Sequence, residues 1–176
     1  MIIYADLEFE TPYSFLIYCI DNELPEQWNN WKGKKKNIDL SGRHFEKKNF
    51  KSINLDYCNL VDGIFDDCLF GNTSFYYTIL EKARFNRGIF DTKLHHTKLD
   101  HTFFYGIIVK LELVDCKLFA TVFDEVSIIT MNFNHCDFTG TQLTNFRYRH
   151  SSSEKLKLFI VILEVYFLKT CMLINW

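Results

Sequence analysis

From Leu40 onward every fifth residue is Leu or Phe: Leu40, Phe45, Phe50, Leu55, Leu60, Phe65, Phe70, Phe75, Leu80, Phe85 and Phe90. The frame then shortens by one residue to Leu94, Leu99 and Phe104, and by one more to Ile108, Leu113, Leu118, Phe123, Ile128, Phe133, Phe138 and Leu143. The total is 22 units between Ile38 and Asn145. A helix repeats every 3.6 residues and a strand every two, so neither puts every fifth residue on one stripe. A coil that turns a corner once per five residues does. Two residues before most centres the side chain is small, as at Cys58, Gly63, Cys68, Thr73, Thr78, Ala83, Gly88 and Thr97. One large and one small inward residue per unit is what a narrow tube can hold without overpacking.

In this pattern the chain resembles the pentapeptide-repeat family, whose unit is a small residue, Asp or Asn, Leu or Phe, and two variable positions. IDLSG, INLDY, CNLVD and CDFTG are the nearest matches, within a degenerate Cys/Thr/Gly-rich variant. The resemblance implies an all-β repeat solenoid, a right-handed quadrilateral β-helix with four units per coil. Stacking every fourth unit then gives a first side of Leu40, Leu60, Leu80, Leu99, Leu118 and Phe138. The second side holds Phe45, Phe65, Phe85, Phe104, Phe123 and Leu143. Two columns nearly pure in residue type across both frame shifts support the four-sided coil. Twenty-two units make about 5.5 coils, a tube on the order of 26 Å long at strand spacing.

The expected organisation is an N-terminal flank over 1–36, the β-helix over 37–146 and an apolar C-terminal helix over 151–176. Leu24–Lys32 reads as a short helix, with Pro25 in its first turn and Gly33 just past its end. Trp28 and Trp31 on one face suit a lid on the first coil, whose strand edges need covering. Lys34, Lys35 and Lys36 read as a solvated linker. Ser151 and Glu154 form a capping-box pattern before the run Leu156–Trp176. That run reads as a capping or homodimerisation helix, with a membrane tail as the alternative despite Glu164 near its centre.

Composition narrows the function classes. The chain has 176 residues, 18 of them Phe, and a formal charge of −2, which does not suit a strongly basic nucleic-acid binder. Six Cys without a CxxC spacing do not make a disulfide scaffold. MIIYADLEFE carries three acids and no basic segment, so a secretory signal is not expected. Cys58, Cys68, Cys116 and Cys136 fall at the inward small position, where thiols act as small apolar groups. Cys116 and Cys136 fall on one side of adjacent coils, within disulfide range, and a reduced pair is expected because nothing indicates an oxidising compartment. The outward ladder Tyr57, Tyr77, His96, Asp115 and His135 is flat and offers no converging set of metal ligands. No catalytic motif or desolvating pocket is evident, so no catalytic residue, cofactor or metal is expected.

The surface remains. The outward positions of the third side are expected to carry Leu69, Ile89, Ile107, Val109 and Ile129, with Tyr57, Tyr76 and Tyr77 on the neighbouring fourth side. An apolar stripe of this kind suits a protein partner or a dimer, unless Ile2–Ile20 or the C-terminal run covers it. The outward Lys47, Asp67 and Arg87 alternate in sign up the second side and are expected to fix register. The function expected is a non-enzymatic protein-interaction scaffold in the cytoplasm. The resemblance adds a bacterial effector secreted into a host cell. It adds as alternative a DNA mimic protecting a type II topoisomerase (gyrase), although residues 37–146 hold 14 acids against 11 bases, a weak field for imitating DNA.

Overall fold

The computed structural model describes residues 2–4, 7–145 and 147–148. The chain is a parallel β-solenoid of about five turns with two short helices at its N-terminal end. Two walls are regular sheets. On the second side, His44–Glu46, Ile64–Asp66, Arg84–Asn86, Phe103–Tyr105, Val122–Asp124 and Gln142–Thr144 pair in parallel in that order. On the third side, Leu69–Ser74, Ile89–His95, Ile108–Val114, Ser127–Asn134 and Arg147–Tyr148 do the same. The run proposed as a helix over 151–176 lies outside the described residues.

The interior follows the expected columns. Phe45, Phe65, Phe85, Phe104 and Phe123 are buried and stack nearly parallel, with centroids 5.0, 4.6, 4.9 and 4.8 Å apart. These separations match the spacing of neighbouring strands, so each ring sits on the one below at the height the backbone ladder sets. The small inward residues have a second task. Thr78, Thr97, Thr102, Thr121 and Thr141 are buried, and each donates its hydroxyl to a carbonyl of the coil below, at 2.6–2.8 Å. Thr thus fills the narrow position and gives its own hydroxyl a buried partner, a carbonyl that also accepts a backbone N–H. Gly88 shows the other limit: a Cβ there would lie 2.4 Å from the Cys68 carbonyl oxygen, closer than any side chain can approach.

Three of the four corners are made by one left-handed residue in every coil. These columns are Gly42, Asp62, Lys82, His101, Ala120 and Gly140; Lys47, Asp67, Arg87, Gly106, Glu125 and Asn145; and Asn37, Tyr57, Tyr77, His96, Asp115 and His135, all with φ between 48° and 70°. The corner between the third and fourth sides differs. Only Ser52 and Asn72 are left-handed there. Above them the chain runs straight through Ile89–His95 and Ile108–Val114 with strictly alternating burial.

This straightening relocates one expected frame shift. The inward centre of the third side is Val109, paired with Phe90 and Ile128, and the short unit runs from Val109 to Leu113. Both four-residue units therefore lie at the same corner, Phe90 to Leu94 and Val109 to Leu113.

At the N-terminal end the cap is larger than expected. A hairpin of Ile2–Tyr4 and Leu7–Phe9 precedes α1 (Pro12–Asp21) and α2 (Pro25–Lys32). Helix α1, which no sequence period announces, starts with a capping box between Thr11 and Ser14 and buries Phe15, Leu16, Cys19 and Ile20. Helix α2 ends at Gly33, whose φ is 46°. Fully buried Trp28 donates its indole N–H to the Asn54 carbonyl at 2.8 Å. Asn29 donates to the Ser52 carbonyl and accepts from the Asn54 N–H. The cap thus covers the first coil and also satisfies its open backbone edge. The lysine run is not a free linker: Lys35 lies over the Trp31 ring at 4.8 Å and Lys36 over the Tyr57 ring at 4.5 Å.

Candidate interaction surface

On the third wall, strand alternation decides which side chains face out. Leu69, Ile89 and Ile108 are in vertical register. They are 42%, 45% and 40% exposed, and Ile129 beside them is 42% exposed. Two of the expected outward residues are corrected: Ile107 and Val109 are buried. Gly106 takes the left-handed corner position between Arg87 and Glu125, so the unit from Phe104 to Val109 keeps its full five residues. Ile107 then occupies the inward small position, and Ile108 takes the outward place.

Helix α1 packs against the first strand of the tube, Ile38–Asp39, and not across this wall. The described residues of the N-terminal flank therefore leave the aliphatic ladder uncovered.

Along the same strands the outward face changes from apolar to charged. After Ile89 come Asp91 and Lys93, and after Ile108 come Lys110 and Glu112. Lys93 pairs with Glu112 at 2.9 Å and Lys110 with Asp91 at 3.4 Å. With Asn72, Ser74, Thr130 and Asn132, these residues line a shallow groove of about 450 Å³ over the straightened corner. The groove was not anticipated from the sequence. The two four-residue units that mark it were visible there, and a shortened unit repeated at one corner is the signal that identifies it.

Tyr57, Tyr76 and Tyr77 stand at the next corner, between the fourth and first sides. Tyr57 and Tyr77 stack at 5.2 Å, and Tyr77 stacks on His96 at 4.6 Å. Tyr76 meets both Tyr rings edge-on. Above them Asp115 lies 3.7 Å from both His96 and His135. The ladder is continuous, its faces are spent on one another, and Tyr76 and Tyr77 present their exposed edges. Among the described residues, no three His, Cys, Asp or Glu side chains converge as metal ligands.

The second wall has an unlike exterior. Its outward column is His44, Ile64, Arg84, Phe103, Val122 and Gln142. Hydrogen bonding from Asn86 at 2.7 Å and from His44 at 2.7 Å holds the Asp66 carboxyl below its ordinary pKa. At the corner beside this wall, Arg87 grips Asp67 through two contacts of 3.1 Å, whereas Lys47 turns to Glu46 at 3.4 Å. The expected three-residue charge ladder is therefore a single cross-coil pair.

Burial raises the thiol pKa of Cys58 to about 12 and of Cys68 and Cys19 to about 11, as expected for inert interior cysteines. Among the described residues no helix is long and apolar enough to cross a membrane.

No protein-family model and no curated protein matches the chain. Solved structures do. A pentapeptide repeat protein, Rfr23, from the cyanobacterium Cyanothece 51142 is 13% identical over 78% of this chain and 95% of its own, with a TM-score of 0.39. The plasmid-mediated fluoroquinolone resistance protein QnrB1 is 11% identical over 75% and 86%, with a TM-score of 0.37. A pentapeptide repeat protein from the Arabidopsis thaliana thylakoid lumen is 17% identical over 69% and 77%, with a TM-score of 0.34. On its own register of five-residue units, four to a coil, the chain is a pentapeptide-repeat protein in fold.

Proposed function

We propose that the protein is a non-enzymatic scaffold that binds another protein through its third wall. The observation that carries this reading is the ladder Leu69, Ile89 and Ile108, with Ile129 beside it, each 40–45% exposed on a flat parallel sheet. Aliphatic side chains aligned at strand spacing, with a charged margin of Asp91, Lys93, Lys110 and Glu112, have the plan of an interface: an apolar centre and a polar rim. The partner this suits is a protein presenting a flat apolar strip flanked by charges of both signs. Covering the exposed part of one such Ile is worth about 1 kcal/mol, so two carry roughly a tenfold to hundredfold factor in affinity.

The interior supports a scaffold over an enzyme, because among the described residues the inward positions are filled mainly by Leu, Phe, Thr and Cys and leave no chamber for a reacting group. Surface acids weigh against imitation of DNA. Asp67, Asp91, Glu112 and Glu81 are each paired with a base, which cancels the field such mimicry needs.

The test is affinity capture with the full chain beside the double variant Ile89→Lys, Ile108→Lys. At least one protein retained by the wild type is lost from the variant, while circular dichroism and Tm stay unchanged. An identical set of retained proteins with both would refute the assignment of this wall.

A further inference from the structure

Of the five cysteines in the described residues, four occupy the inward small position. Their vertical neighbours differ. Cys58 stands between Ile38 and Thr78, and Cys68 between Lys48 and Gly88. Only Cys116 and Cys136 follow one another in a column, which reads Ile38, Cys58, Thr78, Thr97, Cys116, Cys136. Their coils are in direct register: the Asp137 N–H donates to the Cys116 carbonyl at 3.0 Å, and Lys117 bridges Asp137. Adjacent parallel strands place such Cα atoms about 4.8 Å apart, inside the range a disulfide spans. The two thiols also differ in access, with Cys116 buried and Cys136 half-buried.

We propose that Cys116 and Cys136 form a peroxide-sensitive dithiol, whose oxidation to a disulfide ties the last two described coils together. The Cys136 sulfur attacks one oxygen of hydrogen peroxide. The O–O bond breaks, and hydroxide leaves as water after taking up the thiol proton. The Cys116 sulfur then attacks the sulfenic sulfur of Cys136; the S–S bond forms, the S–O bond breaks, and a second water leaves with the Cys116 proton. Two thiols lose two electrons and one peroxide becomes two waters. The roles follow from access. Half-buried Cys136 meets peroxide first and is the attacking thiol, and buried Cys116 is the resolving one. The direction of the pKa shifts agrees, since proximity to the Cys116 side chain lowers the Cys136 thiol while the same proximity and burial push Cys116 up. At rest Cys116 donates to the Leu94 carbonyl at 3.0 Å, the bond Thr makes in the same column at Thr78 and Thr97.

That equivalence supplies a variant that keeps the packing, Cys116→Thr. The full chain is treated with increasing hydrogen peroxide, denatured, alkylated with N-ethylmaleimide and weighed. The wild type, with six thiols, is expected to lose two hydrogen masses and take four maleimides. Peptide mapping joins Cys116 to Cys136, and dithiothreitol restores all six sites. Cys116→Thr is expected to show no internal cross-link and to carry the sulfenic or sulfinic acid on Cys136. A wild type that still takes six maleimides, or a cross-link that involves other cysteines or persists in Cys116→Thr, would overturn the proposal.

Discussion

The second and third walls of the tube share an interior and differ outside. Both are parallel sheets, both are lined within by large apolar side chains, Phe45 to Phe123 on the second and Phe70, Phe90, Val109 and Ile128 on the third, and both hold their register through the same ladder of backbone bonds. Outside, the second wall carries His44, Ile64, Arg84, Phe103, Val122 and Gln142, mixed in kind. The third carries an aliphatic ladder that passes along each strand into paired charges. Under the proposed function, stability and recognition are separated in space: inward positions answer to the tube, and outward positions are free to differ from wall to wall.

The largest effects are expected from the interior, and equally on both walls. Phe85→Ala and Phe90→Ala each remove a buried ring from the middle of an inward column, Phe85 between Phe65 and Phe104 and Phe90 between Phe70 and Val109, and are expected to cost about 3–5 kcal/mol, measured as a shift in urea midpoint. A cost confined to one wall would show that the walls are not energetically alike. Thr102→Val is expected to cost less, about 0.5–1.5 kcal/mol, because the shape is kept and the Leu80 carbonyl loses one of its two donors while the Ala83 N–H remains. No measurable loss would show that the Ala83 N–H alone satisfies this carbonyl.

The smallest effect is electrostatic and belongs to the second wall. The folded-state pKa of Asp66 is lowered, so its contribution is present above the ordinary carboxylate pKa near 4 and is lost as pH falls through the folded value. Asp66→Asn is expected to flatten the acid limb of the stability profile by under about 1 kcal/mol, since the pair is largely solvated. An unchanged acid limb would remove Asp66 from the account.

The interior was legible in the sequence because one residue in five must be large, and Phe and Leu fill those places with few exceptions. The register failed where the sequence is degenerate. Ile107, Ile108 and Val109 are three consecutive β-branched residues, each able to serve as a centre. With Ile108 as the centre, Gly106 falls at the inward small position, but its place between Arg87 and Glu125 in a left-handed column fixes Val109 as the centre. The N-terminal cap was legible at Trp28 and Trp31, which recur on one helical face. It was not legible at α1, whose start depends on the local exchange of hydrogen bonds between Thr11 and Ser14. The charged groove arises from a corner that does not turn, a feature of two shortened units together.

The proposed interface requires that the outer third wall recognise a partner that the outer second wall does not. Ile89→Lys and Ile64→Lys make the same change at the same outward strand position on the two walls, and neither touches the interior. Measured against a protein captured by the wild type, Ile89→Lys is expected to weaken binding at least tenfold, while Ile64→Lys leaves it within twofold and both keep the wild-type urea midpoint. Equal weakening by the two, or weakening by Ile64→Lys alone, would contradict the assignment of the third wall.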